Sequence, residues 1–184
     1  KYGPAIYSPD GGHFSGYRLM GAVLAFRGLL KRKLGKKEQN IGIMLPPSPA
    51  GVIVNLALWV MGKTNVNLNY TSSVENVKFC CEKADVRTVI TSRQFMEKLK
   101  GRGNDYTRVE SDKVRMFYAE DLMKEIPKAK IAFLVILSVL VPTWLLTLLF
   151  CKRTSMDDNA VIVFSSGSEG TPKGVELTQR NLMG

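Results

Sequence analysis

The sequence predicts an α/β fold in which a mostly parallel sheet carries helices on both faces. Three observations carry this expectation. Strand-like and helix-like patterns alternate along most of the chain, the strand-like runs are short and rich in β-branched residues, and the 45% hydrophobic content of 184 residues is ample for one packed domain or slightly more.

Residues 1–18 are rich in Gly, Pro, Tyr and Ser and read as loop with a short hairpin. From Leu19 to Leu34, the apolar Met20, Val23, Leu24, Phe26, Leu30 and Leu34 recur at helical spacing, with Gly35 as the expected C-terminal cap. Ile41–Leu45 is a short buried strand broken by Pro46 and Pro47. A second helix spans Ala50–Met61 and a second strand Thr64–Leu68. Ser73 caps a third helix reaching Ala84, and Val86–Thr91 is the third strand. A short basic helix follows at Arg93–Lys100, then a charged surface loop at Gly101–Lys113. A fourth strand at Val114–Tyr118 leads to a helix start at Asp121–Ile126. Ligands of such sheets sit beyond the carboxyl ends of the strands.

Ile131–Phe150 is discordant, with twenty residues and no charge, which is long enough to span a bilayer. Pro142 would kink or divide such a helix. If the flanking strands share one sheet, both ends must emerge on the same side of any membrane. The expected form is therefore a hairpin or an interfacial segment, turning at Pro142 and Thr143 with Trp144 near the headgroups; a buried core helix and a true span are the alternatives.

The formal charge of +10 collects at Lys31–Lys37, at Lys124, Lys128 and Lys130, and at Lys152 and Arg153. Such clusters suit an anionic phospholipid membrane or an acidic partner, or simply form a solvated face. Nucleic acid is not expected, because no aromatic-basic recognition module is visible. The three cysteines, Cys80, Cys81 and Cys151, match no metal spacing and suit a reducing compartment. The single histidine, His13, follows two glycines and reads as a turn residue, so a triad mechanism has little to rest on.

The stretch with chemistry in it is Ala160–Gly184. A buried strand, Val161–Phe164, empties into S-S-G-S-E-G-T-P-K-G. Gly167, Gly170 and Gly174 allow amide N–H groups to turn toward one point, Ser165, Ser166, Ser168 and Thr171 add hydroxyls, Pro172 stiffens the loop and Lys173 adds charge. The implied guest is a phosphate. The pattern is neither a Walker A motif nor G-x-G-x-x-G.

This ten-residue run resembles the phosphate loop of the adenylate-forming enzymes. The segments G-I-M-L-P-P-S-P (Gly42–Pro49), N-L-N-Y-T (Asn67–Thr71), T-S-R-Q-F (Thr91–Phe95) and F-Y-A-E-D-L (Phe117–Leu122) narrow the resemblance. They are similar to the acyl-acyl-carrier-protein synthetase half of the bifunctional 2-acylglycerophosphoethanolamine acyltransferases. Glu169 is shared with that branch, whereas Gln179 replaces the His more common in the superfamily.

The resemblance implies that residues 1–184 are the N-terminal part of the large domain, with 131–150 a membrane-associated insertion and 160–184 the phosphate loop with the following strand and helix start. It implies ATP and Mg2+ as cofactors, a fatty acid as substrate, and acyl carrier protein, CoA or a lysophospholipid as acceptor, at the cytoplasmic face of a membrane. Ser165, Ser166, Gly167, Ser168, Gly170, Thr171, Lys173 and Gly174 would hold the β- and γ-phosphates. No catalytic nucleophile, general base or metal ligand is expected within the chain, which opens at Lys1, stops as a helix begins and reads as an inactive fragment. The alternative expectation is a catalytically dead, membrane-anchored binding protein with the same fold.

Overall fold

The structure, a computed structural model, describes residues 3–7, 13–166 and 171–183. Strands β1 (Pro4–Tyr7) and β2 (His13–Ser15) form an antiparallel pair that runs into helix α1 (Gly16–Lys33). The turn predicted at Gly11 and Gly12 lies outside the described residues, and His13 is exposed at the start of β2. Strand and helix then alternate: β3 (Asn40–Met44), α2 (Pro49–Val60), β4 (Thr64–Asn67), α3 (Val74–Lys83), β5 (Thr88–Thr91), α4 (Arg93–Lys100), β6 (Arg115–Tyr118) and α5 (Ala119–Lys124). Helices α6 (Lys128–Leu140) and α7 (Thr143–Phe150) come next, followed by β7 (Asn159–Ser166), β8 (Pro172–Thr178) and α8 (Gln179–Met183).

The main sheet has the order β6-β5-β3-β4-β7-β8. Its first five strands are parallel neighbours, and β8 adds an antiparallel edge. Both faces are covered. Ile41, Ile43 and Ile90 pack with α1 and α2, while Met44, Val66, Val89, Met116 and Ile162 pack with α3 and α4. Burial on two sides explains why β3 and β5 read as short apolar runs. Serine caps fix where three of the helices begin: the hydroxyls of Ser48, Ser73 and Ser92 accept from the N–H groups of Gly51, Asn76 and Phe95 at 3.2, 3.2 and 3.3 Å.

Gly35 does not cap α1. Leu34 closes that helix in an extended conformation, and the Gly35 N–H instead donates to Glu38 Oε1 at 2.7 Å. Glu38 also accepts from Thr88 Oγ1 and from Arg115, each at 2.6 Å, so one carboxylate ties the end of α1 to β5 and β6.

The stretch Gly101–Lys113, expected to be surface loop, contains a one-turn helix at Tyr106–Val109 that buries both named residues. The Tyr106 hydroxyl reaches the carbonyl oxygens of Tyr70 and Ser72 at 2.7 and 2.5 Å, anchoring the loop beneath α3 and α4. Tyr106→Phe is expected to lower stability by about 1 kcal/mol, because it removes the donor to the half-buried carbonyls of Tyr70 and Ser72. An unchanged urea midpoint would show that water replaces the hydroxyl.

Cys80 and Cys81 lie on the buried side of α3. Burial pushes the Cys80 thiol up to about 11 and, aided by its neighbour, Cys81 to about 12. The folded state thus favours the protonated thiols. Their contribution to stability is complete below the unfolded value of 9.0 and is lost as pH rises toward the folded values. Native protein at neutral pH is expected to resist iodoacetamide at both positions, with mass spectrometry showing modification only after denaturation.

The apolar stretch 131–150 is divided at Val141–Pro142 into α6 and α7, and among the described residues no helix is long and apolar enough to cross a membrane. The chain doubles back, as the topological argument requires. Lys130 lies beside Gly28 of α1, Ser138 Oγ donates to the Tyr17 carbonyl at 2.8 Å, and Phe150 returns beneath the Arg27 guanidinium at 5.7 Å. The segment is not a buried core helix either: Leu134, Ser138 and Leu146 face the protein, whereas Phe133, Leu140 and Trp144 are exposed.

Candidate phosphate-binding site

Met44, Asn67, Thr91, Tyr118 and Ser166 end parallel neighbours, so the segments that follow them gather at one edge of the sheet. The four sequence segments quoted above meet there. Thr91 Oγ1 donates to the Met44 carbonyl at 2.8 Å, and Tyr70 meets Phe95 edge-on with ring centroids 4.9 Å apart. Ser92 Oγ donates to Glu120 Oε1 at 2.7 Å, and the Arg93 N–H donates to Glu120 Oε2 at 3.1 Å. Glu120 therefore sits on the N-terminus of α4, where a negative charge is stabilised by free N–H groups.

Partial burial pushes the Glu120 carboxyl up, but the hydrogen bonds from Ser92, Arg93 and Gln94 outweigh it and hold the group below the usual carboxylate range. Next to it, the Arg93 guanidinium lies 4.0 Å from the Tyr118 ring centroid and 2.5 Å from Asp121, whose carboxyl it holds low through that hydrogen bond. T-S-R-Q-F and F-Y-A-E-D-L are thus two halves of one corner. They brace the edge.

The β7–β8 hairpin rises at this edge beside β4. Its register sets Phe164 opposite Gly174, Ser165 opposite Lys173 and Ser166 opposite Pro172. Ser165, Thr171 and Lys173 are exposed, so two hydroxyls and an ammonium stand open at the carboxyl end of a central strand. Ser165 Oγ reaches the Lys173 carbonyl at 3.4 Å, a long contact that a stronger acceptor would displace. Gly167, Ser168 and Gly170, together with Glu169, lie outside the described residues.

Pro172 and Gly174 fall within β8, opposite Ser166 and Phe164. The strand pairing adds its own demand for a small residue: a Cβ at Gly174 would stand 3.1 Å from the Phe164 ring, which lies across the neighbouring strand.

The base of the hairpin is pinned. Trp59 Nε1 donates to Oε1 of the buried Gln179 at 2.6 Å, the Gln179 N–H donates to the Asp158 carbonyl at 3.0 Å, and Arg180 pairs with Asp157 at 3.1 Å. Gln179 is therefore a structural tether between α2 and α8. Its signal in the sequence was only a departure from a familiar pattern, with nothing to name Trp59 as its partner.

The donor set suits an anion. Among the described residues no three His, Cys, Asp or Glu side chains group as metal ligands. A groove of about 700 Å³ lies at the opposite, amino edge of the sheet, between Lys78, Arg87 and Lys113.

The sequence model of the family described as AMP-binding enzyme matches residues 4–184. The chain belongs to the AMP-binding enzyme family. Among curated relatives, 4-coumarate--CoA ligase-like 6 of Arabidopsis thaliana is 28% identical over 163 residues, covering 82% of this chain and 24% of the relative. This AMP-binding chain thus spans about a quarter of that protein's length. Among solved structures, VinN superposes with a TM-score of 0.70 at 20% identity, covering 96% of this chain and 41% of VinN. The N-terminal subdomain of NpsA from Klebsiella oxytoca, in complex with 3-hydroxybenzoyl-AMSN, gives 0.66 at 21% identity over 93% of this chain and 36% of that one. These two likenesses confirm the expected α/β architecture.

Proposed function

We propose that this chain is the N-terminal part of an ATP-dependent, AMP-forming acid–thiol ligase that activates a fatty acid and passes it to acyl carrier protein or CoA, feeding phospholipid re-acylation. The observation that carries the reading is the open β7–β8 hairpin, with Ser165, Thr171 and Lys173 exposed at the carboxyl edge of the sheet in a chain of the AMP-binding family. The choice of a fatty acid is supported by the four segments that resemble acyl-acyl-carrier-protein synthetases.

Within that reading, Ser165, Ser166, Gly167, Ser168, Gly170, Thr171, Lys173 and Gly174 surround the β- and γ-phosphates of ATP, and Gly174 also gives Phe164 room to brace the hairpin. A carboxylate oxygen of the acid attacks the α-phosphorus, the bond to the β-phosphate bridge breaks, and pyrophosphate leaves. A thiol then attacks the acyl carbonyl and AMP departs. Lys173 and the hydroxyls stabilise the negative charge that builds on the leaving pyrophosphate. Mg2+, when bound, shields the same oxygens. The chain's own contribution is to bind and orient; the acid-binding surface and proton chemistry belong to other parts of the protein.

The test is exchange of labelled pyrophosphate into ATP by the full-length protein across a panel of acids. Fatty-acid-dependent exchange is the expected result. Exchange with aromatic acids alone would keep the ligase and correct its substrate. Silence with every acid would favour the catalytically dead binding protein.

A further inference from the structure

Helices α6 and α7 hold one side against α1 and leave the other to solvent. The outward side carries six large apolar residues: Phe133, Ile136, Leu140, Trp144, Leu148 and Leu149, each between 57 and 75% exposed. On α6 these fall at i, i+3 and i+7, one continuous stripe, and on α7 Trp144 and Leu148 stand exposed one turn apart. Six exposed large apolar side chains on two successive helices mark a binding face on a folded protein.

The surrounding charge says what covers it. Lys128 and Lys130 stand exposed within two turns of Phe133, and Lys130 reaches over Gly28, which brings Lys31 and Arg32 at the end of α1 to the same place. Exposed Lys152 and Arg153 leave α7 where it meets the end of α2, the Lys152 N–H donating to the Val60 carbonyl. An apolar stripe with a cationic margin and an indole at its turn fits the boundary between acyl chains and anionic headgroups. A second copy of the chain fits less well, since it would bring the same formal charge of +10 to the contact. The 13 residues of α6 extend only about 20 Å, too short to cross the hydrocarbon layer but suited to lying along it.

We propose that the outer face of α6 and α7 is a docking surface for an anionic lipid bilayer, seating the domain on the membrane without spanning it. This surface is independent of the phosphate-binding reading and stands or falls separately from it.

The test places an environment-sensitive dye at position 144, through Trp144→Cys in full-length protein cleared of other reactive thiols, and adds vesicles of phosphatidylglycerol and phosphatidylcholine in equal amounts. A blue shift is expected, weaker with phosphatidylcholine alone. Lys128→Gln and Lys130→Gln are each expected to weaken vesicle binding about fivefold at low salt. Phe133→Glu with Leu140→Glu is expected to abolish the shift while leaving the thermal midpoint unchanged, because both side chains point into solvent. A dye that reports water with and without vesicles overturns the proposal. So does a dye already shielded before vesicles are added, which would mean that another part of the protein, or a second copy, covers this face.

Discussion

Lys173→Ala is expected to slow pyrophosphate exchange by the full-length protein about 10²–10³-fold, the loss typical of removing one preorganised donor from developing negative charge. The side chain is exposed on β8, and its backbone pairs with Ser165 whatever the side chain is, so the fold should not change. The defect should therefore appear in exchange and not in thermal stability. Lys173→Arg keeps the charge but spreads it over a planar fork, and should recover only part of the rate. Wild-type exchange by Lys173→Ala would remove this ammonium from the site.

Gly21→Leu is expected to destabilise the protein by roughly 3 kcal/mol, at the upper end of overpacking costs. A Cβ at Gly21 would stand 2.5 Å from Val135 Cγ2 and 2.8 Å from the Val135 backbone, so no rotamer avoids the clash and α6 must move off α1. Ser138 would lose its bond to Tyr17, and Leu134 would leave the core. A lowered urea midpoint, with hydrogen exchange of α6 accelerated first, is the expected result. A variant that melts with the wild type would show that α6 is loosely held.

The sheet was legible because its strands are buried on two faces and its helices on one, and both patterns survive in residues such as Ile41–Met44 and Val23–Leu30. The helix capped by Ser73 was legible for a local reason: the cap and the N–H it satisfies are three residues apart. What stayed hidden depends on distant partners. Tyr106 looks like one aromatic in a charged loop until α3 and α4 close over it. Gly21 looks like an ordinary helical residue until Val135 arrives from over 100 positions away, and Gly174 looked like a loop glycine because Phe164 was not known to lie across from it. Gly35 shows the reverse error, a cap signal at the right place defeated by a nearby carboxylate, Glu38.

In the phosphate site, the residue types and their order were plain, as was the edge of the sheet on which they stand. The division of labour was not. The sequence cannot say that the run from Pro172 pairs back on Ser166 as a strand, so it placed every residue from Ser165 to Gly174 in the loop.

The central claim is that the β7–β8 hairpin grips the terminal phosphates of ATP. Hydrogen exchange across residues 165–174 of the full-length protein, with ATP and Mg2+, with pyrophosphate or with AMP, tests it most directly. Protection by ATP and pyrophosphate, and little by AMP, is the predicted result. Amides in this hairpin that exchange at the same rate with and without ATP, while another region of the protein becomes protected, would contradict it.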